Sequence, residues 1–182
     1  MGYTTKFDGK FSLNQQLKPE HFAYLTAFSQ TRRMKRDEIK ASQLPDPVRL
    51  AADLPIGKEG SYFVGGSGCR GQGSDSSILD YNEAPCNPDC FERFKKGYAW
   101  SVGAQPSLWC QWVPSEDRMG IEWDGGEKFY NYTEWLIYLV EHFLKPWGYV
   151  LNGKVTWNGE DAGDRGTITV ADNVVTTGVS TK

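Results

Sequence analysis

An α+β fold is predicted, with an antiparallel sheet, two helices packed on one of its faces and a long Gly/Ser/Cys-containing loop insertion. Three features of the sequence predict it. β-Rich runs broken by turn residues fill 108–123 and 149–177. Two segments, starting at Pro19 and after Asn131, repeat apolar residues at helical spacing. The resulting order is β, α, connection, β, long loop, β, β, α, β, β, which sets strands beside strands and is the α+β pattern.

Residues 3–13 alternate through Tyr3, Thr5, Phe7, Phe11 and Leu13, with Asp8-Gly9 as a tight-turn candidate, so they read as a strand or short hairpin. Pro19 opens a helix at a position where its missing N–H costs nothing, and Glu20 suits the first turn. Phe22, Leu25 and Phe28, with Tyr24 beside them, form its apolar face. Residues 44–55 hold three prolines and read as a connection with one helical turn. Residues 60–65 read as a short strand, 65–90 as a loop, and 91–100 as a short helix inside the same excursion. Two β-rich runs, 108–113 and 119–123, flank a loop of hairpin length. Asn131 with Glu134 three residues on has the arrangement of a capping box. Trp135, Leu136, Leu139, Val140 and Phe143 form the stripe of a helix packed on a sheet, which Pro146 stops. Residues 149–157 alternate as a half-buried strand, 158–166 read as a polar turn, and 167–177 as a last strand with Ile168 and Val170 on one face.

At 182 residues the chain is read as a single domain, 1–182, with the excursion at about 66–104. Its apolar fraction of 39% supports a core, and aromatics at 14% give that core its bulk. The longest apolar run, Trp135 to Val140, is far too short to span a membrane. No apolar stretch near the start reads as a signal peptide. The net charge of −3 gives no global basic field, which argues against nucleic acid as a partner. Residues 1–50 nevertheless hold nine Lys and Arg against five Asp and Glu. Much of that excess is one run, Arg32-Arg33-Met34-Lys35-Arg36.

Four cysteines occur, Cys69, Cys86, Cys90 and Cys110. Only Cys86 and Cys90 form a close pair, so a two-pair zinc ribbon is absent from the pattern. The pair suits a zinc site or a Cys86–Cys90 disulfide; reduced thiols in a cytoplasm are the default expectation. No metal and no cofactor are expected.

The G-x-G-x-x-G match at 66–71 is followed by Gln-Gly-Ser-Asp-Ser-Ser, which opens no helix, so it reads as a flexible loop rather than a dinucleotide fingerprint. His21 and His142 read as helix-surface or helix-end residues, and neither sits in a triad pattern. Glu160, Asp161 and Asp164 read as a solvated acidic tip.

Two working surfaces are expected. The basic run, Arg32, Arg33, Lys35 and Arg36, is a candidate for phosphates or an acidic protein surface; a solvated helix end beside Asp37 and Glu38 is the plainer account. The second is the hairpin–helix junction, with Trp112, Trp123, Glu127, Tyr130 and Asn131. There rigid aromatic anchors meet a helix start and suit a planar or anionic ligand or a protein hot spot; packing in the core is the plainer account for most of the tryptophans. No residue is assigned a catalytic role. An enzyme using Glu122, Asp124 or Glu127 as acid/base is the alternative, and a virion component is the third reading.

The runs QPSLWCQWVPSED, IEWDGGEKFYNYTEWL and HFLKPWGYVLNGKVTWNGED, together with YTTKFDGKFSLN, TRRMKR and LPIGKEGSYFVGG, resemble a family of small uncharacterised proteins encoded in phage and prophage genomes, especially of actinobacteria. The stretch from Cys86 to Ala104 looks like an addition relative to shorter members. The resemblance implies no activity and no cofactor. It implies only a phage-related, intracellular accessory context. Small size, a rigid aromatic sheet, a basic helix end and the lack of a catalytic constellation give the expected function: an accessory protein in the host cytoplasm that binds a host protein or sequesters a small anionic, nucleotide-like ligand, in host takeover or counter-defence.

Overall fold

Strand and helix formation follow the chain's two periodicities, and the strands are short except at the C-terminal end. The computed structural model describes residues 2–65, 75–86 and 105–179. In chain order they form β1 (Lys6–Asp8), β2 (Phe11–Leu13), α1 (Pro19–Gln30), β3 (Lys35–Arg36), α2 (Glu38–Ser42), α3 (Pro47–Ala51), β4 (Ile78–Asp80), β5 (Trp112–Pro114), β6 (Gly120–Trp123), α4 (Tyr132–Leu139), β7 (Leu151–Asn158), β8 (Arg165–Ala171) and β9 (Val174–Val179). The fold is α+β with an antiparallel sheet, as the sequence predicts. The chain divides into two compact units, Met1–Lys18 with Gln111–Lys182, and Pro19–Cys110.

The first unit is the sheet, in the order β5-β6-β2-β7-β8-β9, with β1 also paired to β7. β1 and β2 are not a hairpin. Both pair with β7 in one register, Phe7 opposite Trp157 and Phe11 opposite Gly153. They are one strand whose ladder is interrupted at Gly9, which has φ 107°. β7 alternates inward Leu151, Val155 and Trp157 with outward residues, the pattern of a sheet solvated on one side. Residues 167–177 do not form one strand. Asp172 and Asn173 both have positive φ, 47° and 68°, and turn the chain into a two-residue β8–β9 hairpin. Gly166 faces Trp157 across β7 and β8, and a Cβ there would lie 2.7 Å from the indole, so only glycine admits that ring.

The predicted stripe of α4 and the π-helical turn that continues it, Val140–Leu144, is wholly buried at Trp135, Leu136, Leu139, Val140 and Phe143. The capping box is not formed. Asn131 adopts the left-handed conformation, φ 55°, and its side chain makes no capping hydrogen bond to the helix. Between β5 and β6, Ser115 donates its hydroxyl to Asp117 at 2.6 Å and Lys10 pairs with the same carboxylate at 2.9 Å. The serine's hydrogen bond and then the lysine's hold Asp117 far below the usual carboxylate range.

The second unit holds α1 to α3 and the β3–β4 pair. α1 buries His21, Tyr24, Leu25 and Phe28, the i, i+3, i+4, i+7 stripe, while Phe22 lies to its side. His21 is therefore a core residue and not the surface residue expected. α2 and α3 are each capped by an aspartate, Asp37 accepting from the Lys40 N–H and Asp46 from the Arg49 N–H. Residues 60–65 form no strand. Lys58–Gly60 is a 3-10 turn, and the segment's carbonyls are instead committed to buried side chains. The loop predicted over 65–90 contains β4, paired with β3. The G-x-G-x-x-G match and the helix expected at 91–100 lie outside the described residues.

Cys86 is disulfide-bonded, which corrects the expectation of reduced thiols; its partner lies outside the described residues. Cys110 is a buried thiol outside any disulfide.

Candidate functional site

The basic run does not form the exposed cluster that the sequence predicts. It is no helix end: residues 31–34 are irregular and 35–36 form β3. Arg33 is 2% exposed and Arg36 3%. The Arg33 guanidinium stacks on Phe28 at 4.3 Å and donates to the Ser61 carbonyl at 2.7 Å, the Phe63 carbonyl at 3.2 Å and Gln105 at 3.0 Å. Gln105 in turn donates to the Ser61 carbonyl at 2.7 Å. Arg36 lies over the Phe63 ring, donates to Ser77 at 2.8 Å and pairs closely with Asp75. Burial alone raises the Asp75 pKa, but hydrogen bonds from Ser77 and Arg36 and the arginine's charge outweigh it, and the carboxyl titrates below its ordinary value. A buried guanidinium is tolerated only where acceptors surround it, and this unit supplies them from three chain segments, 61–63, 75–77 and Gln105.

The other two members are half-exposed. Arg32 donates to the Tyr81 carbonyl at 2.9 Å. Lys35 pairs with Glu83, whose hydrogen bond holds the ammonium above its ordinary pKa. Lys35, Glu83, Cys86 and Gln105 line an open cleft of about 400 Å³.

The junction is where the structure gathers aromatic surface. Phe7 sits at its centre. Its ring is edge-on to Tyr132 at 4.8 Å, Trp112 at 5.3 Å, Trp123 at 5.4 Å and Phe129 at 5.9 Å. Such edge-to-face pairs favour ring packing beyond the area they bury. Trp112 is buried, and its indole N–H donates to the Tyr132 carbonyl at 2.7 Å. It is core, not an exposed anchor. Trp123 and Tyr132 are half-buried, and Tyr130 is 49% exposed. Burial pushes the Tyr132 phenol up to about 12.

Gln111 ties the loop between β6 and α4 in place. It accepts from the Trp123 indole at 3.2 Å and donates to the Glu127 carbonyl at 2.9 Å. Gly125, Lys128 and Asn131 all have positive φ within seven residues, and two of them are non-glycine. Left-handed backbone at Lys128 and Asn131 persists only where packing holds it, and such strain gathers at binding sites. Tyr3 adds a fourth segment: its N–H donates to the Tyr130 hydroxyl at 3.3 Å, and its own hydroxyl pairs closely with Asp164. That hydrogen bond is the main cause of a raised Tyr3 pKa.

Desolvation raises the Asp124 pKa, partly offset by the Gly126 N–H that it accepts at 2.7 Å. Among the described residues, no hydrogen bond joins it to Glu122 or Glu127. Glu127 and Asn131 are exposed. Glu160 accepts from the Thr4 N–H at 2.7 Å, which ties the acidic 158–166 turn to the chain start. His142 stacks on Tyr138 at 4.2 Å, one helical turn away. Among the described residues, no group of three or more His, Cys, Asp and Glu side chains is placed to hold a metal ion, and no helix is long and apolar enough to cross a membrane.

Tyr3, Phe7, Gln111 and Tyr132 belong to this surface, although sequence reasoning placed only Trp112, Trp123, Glu127, Tyr130 and Asn131 there. The alternation of Tyr3, Thr5 and Phe7 marks their shared face. Nothing local says that the face meets Trp123. No protein-family model, no curated protein and no solved structure matches the chain.

Proposed function

We propose that this protein is a binding module whose sheet unit docks a protein partner at the Phe7–Trp123–Tyr130–Tyr132 surface. The observation that carries this reading is one coincidence. Half-exposed tryptophan and tyrosine side chains, the residue types that dominate interface hot spots, stand on a loop held by left-handed residues and a buried ring cluster. A rigid anchor loses little entropy on binding.

The charges beside it select the partner. Asp124, Glu127 and Glu122 flank the aromatic surface, with Lys128 as the one Lys or Arg between 119 and 144. The unit that contains them has nine basic against twelve acidic residues, the chain's whole net charge of −3. A basic face on a host protein complements this surface, whereas an anionic, nucleotide-like ligand would meet like charge. In the phage context that the sequence resemblance implies, the protein acts in the host cytoplasm by occupying such a partner.

The test is a capture from host lysate followed by calorimetry on the identified partner. Tyr130→Ala and Glu127→Lys should each weaken binding, Tyr130→Ala by about tenfold or more. Both should melt within a few degrees of the unaltered protein. Unchanged affinity in both variants overturns the reading.

A second reading, a component of the virion, is favoured by the Cys86 disulfide, because disulfides persist in oxidising surroundings rather than in a reducing cytoplasm. Mass mapping under non-reducing conditions separates the two. The protein would be recovered oxidised from purified particles in the second case, and from infected-cell extract bound to its partner in the first.

A further inference from the structure

Among the described residues, the last strand of the sheet has an unpaired edge. β9 pairs with β8 alone, and no other strand among the described residues lies on its far side. The two-residue turn at Asp172-Asn173 fixes which groups face outward. In such a hairpin the flanking pair, Ala171 and Val174, exchanges both hydrogen bonds, and bonded pairs then alternate. Val174, Thr176 and Gly178 therefore point their N–H and C=O at β8. Val175, Thr177 and Val179 point theirs away from the sheet.

Native sheets usually guard such an edge with lysine, proline, a bulge or a covering segment. β9 reads Val-Val-Thr-Thr-Gly-Val and has none of the first three. α4 approaches it, yet five of its six residues are exposed, with Val174 at 62% and Val179 at 70%.

We infer that β9 pairs antiparallel with β9 of a second copy of this chain. The strand is self-complementary about one point. A two-fold axis through Thr177 sets Thr177 against its own copy and Val175 against Val179, twice. These are the three residues whose backbone groups face outward, so every outward N–H meets an outward C=O. The same three side chains lie on the face that carries Ile168 and Val170 in β8, so the two Val175–Val179 contacts extend an apolar surface that is already inward. No charged residue occurs between 174 and 179, so a symmetry that places each residue beside its own copy brings no like charges together. Only five residues of each strand pair, Val175 to Val179, so the interface is small and the dimer forms only at high protein concentration.

The experiment is sedimentation equilibrium over a rising protein concentration, with backbone amide exchange read at β9. The mean mass should climb from one chain toward two, and protection should rise with concentration at Val175, Thr177 and Val179 and not at Thr176. Thr177→Pro removes only an outward N–H, a position where an edge strand accepts proline, so it should stay folded and stay monomeric. Val179→Lys places two lysines in the paired edge and should weaken the dimer about tenfold or more without touching the β8 ladder. A protein that remains monomeric at high concentration overturns the inference. So does a dimer that both variants leave intact, because its contact then lies elsewhere.

Discussion

The two units solve the same packing problem with different chemistry. The sheet unit is closed by rings: Phe7, Phe11, Trp112, Phe129 and Tyr132 meet edge to face, and its buried residues are almost all apolar. Among the described residues, the unit from Pro19 to Cys110 buries fewer large apolar side chains and holds three buried arginines, Arg33, Arg36 and Arg49. Each lies among acceptors: Arg33 on two carbonyls and Gln105, Arg36 on Asp75 and Ser77, and Arg49 on Asp46 and the Leu54 carbonyl. Ring contacts are individually weak and interchangeable. A buried guanidinium is neither, because each missing acceptor leaves a desolvated charge. The second unit should therefore be the brittle one.

Asp75→Ala breaks that contrast open with the largest expected effect. It strands the Arg36 guanidinium, 3% exposed, without its counter-charge. Removing one partner of a buried pair costs about 3–5 kcal/mol, and chemical denaturation monitored by amide exchange in α1 measures it. A loss under about 1 kcal/mol would mean that water or another acceptor reaches Arg36, and the contrast would fail. The same pair sets an acid limit. The Asp75 carboxyl titrates below its ordinary value in the fold. Its contribution is thus complete above the unfolded carboxylate pKa, about 4, and is lost as pH falls through the lower folded value. Asp75→Asn should remove that part of the acid dependence, and comparing unfolding at neutral and acid pH for both proteins checks it.

These same residues show where sequence reading stops. The rings of α4 and β7 were legible because their periodicity is local: the stripe at 135–143 and the alternation at 149–157 appear as buried sets. The N-terminal strand was legible as a strand, but its pairing with β7 was not, since no local signal links Phe7 to Trp157 across the chain. The basic run shows the opposite failure. Five residues with four cations read as a solvated surface, because burying arginine needs acceptors that lie far away, at Ser61, Asp75 and Gln105. The junction was partly legible. Trp123, Glu127 and Tyr130 stand at the surface as expected, whereas Trp112 is core and Asn131 turns left-handed instead of capping α4.

Trp112→Phe sharpens the comparison from the sheet side. Phenylalanine keeps an aromatic ring among Phe7, Phe11 and Phe129 but removes the N–H given to the Tyr132 carbonyl at 2.7 Å and leaves a small void. One lost hydrogen bond and a partial cavity come to about 1–2 kcal/mol, well below the cost of stranding Arg36. Urea denaturation followed by the remaining tryptophan fluorescence measures it. A loss equal to that of Asp75→Ala would show that the ring cluster is as exacting as the guanidinium network, and the two units would no longer differ in kind.

The smallest effect belongs to an ion pair with the charge types of Arg36 and Asp75 but the surroundings of water. Lys145 meets Glu141 at 3.5 Å one helical turn away, with side chains 61% and 38% exposed. Water already solvates both groups, so pairing gains little, and holding two long side chains together costs rotamer freedom. Lys145→Ala should change stability by about 0.3 kcal/mol or less, and what change there is should vanish at about 1 M salt, where screening acts within a few ångströms. Thermal melts at low and high salt, for this variant beside Asp75→Ala, make the comparison direct. The exposed pair should lose its effect in salt, while the buried pair should keep nearly all of its own, because salt does not enter a site where both side chains are 2% exposed. If salt removed both effects alike, the Arg36 site would be wet, and the separation between a ring-closed unit and a charge-closed one would collapse into a single electrostatic account.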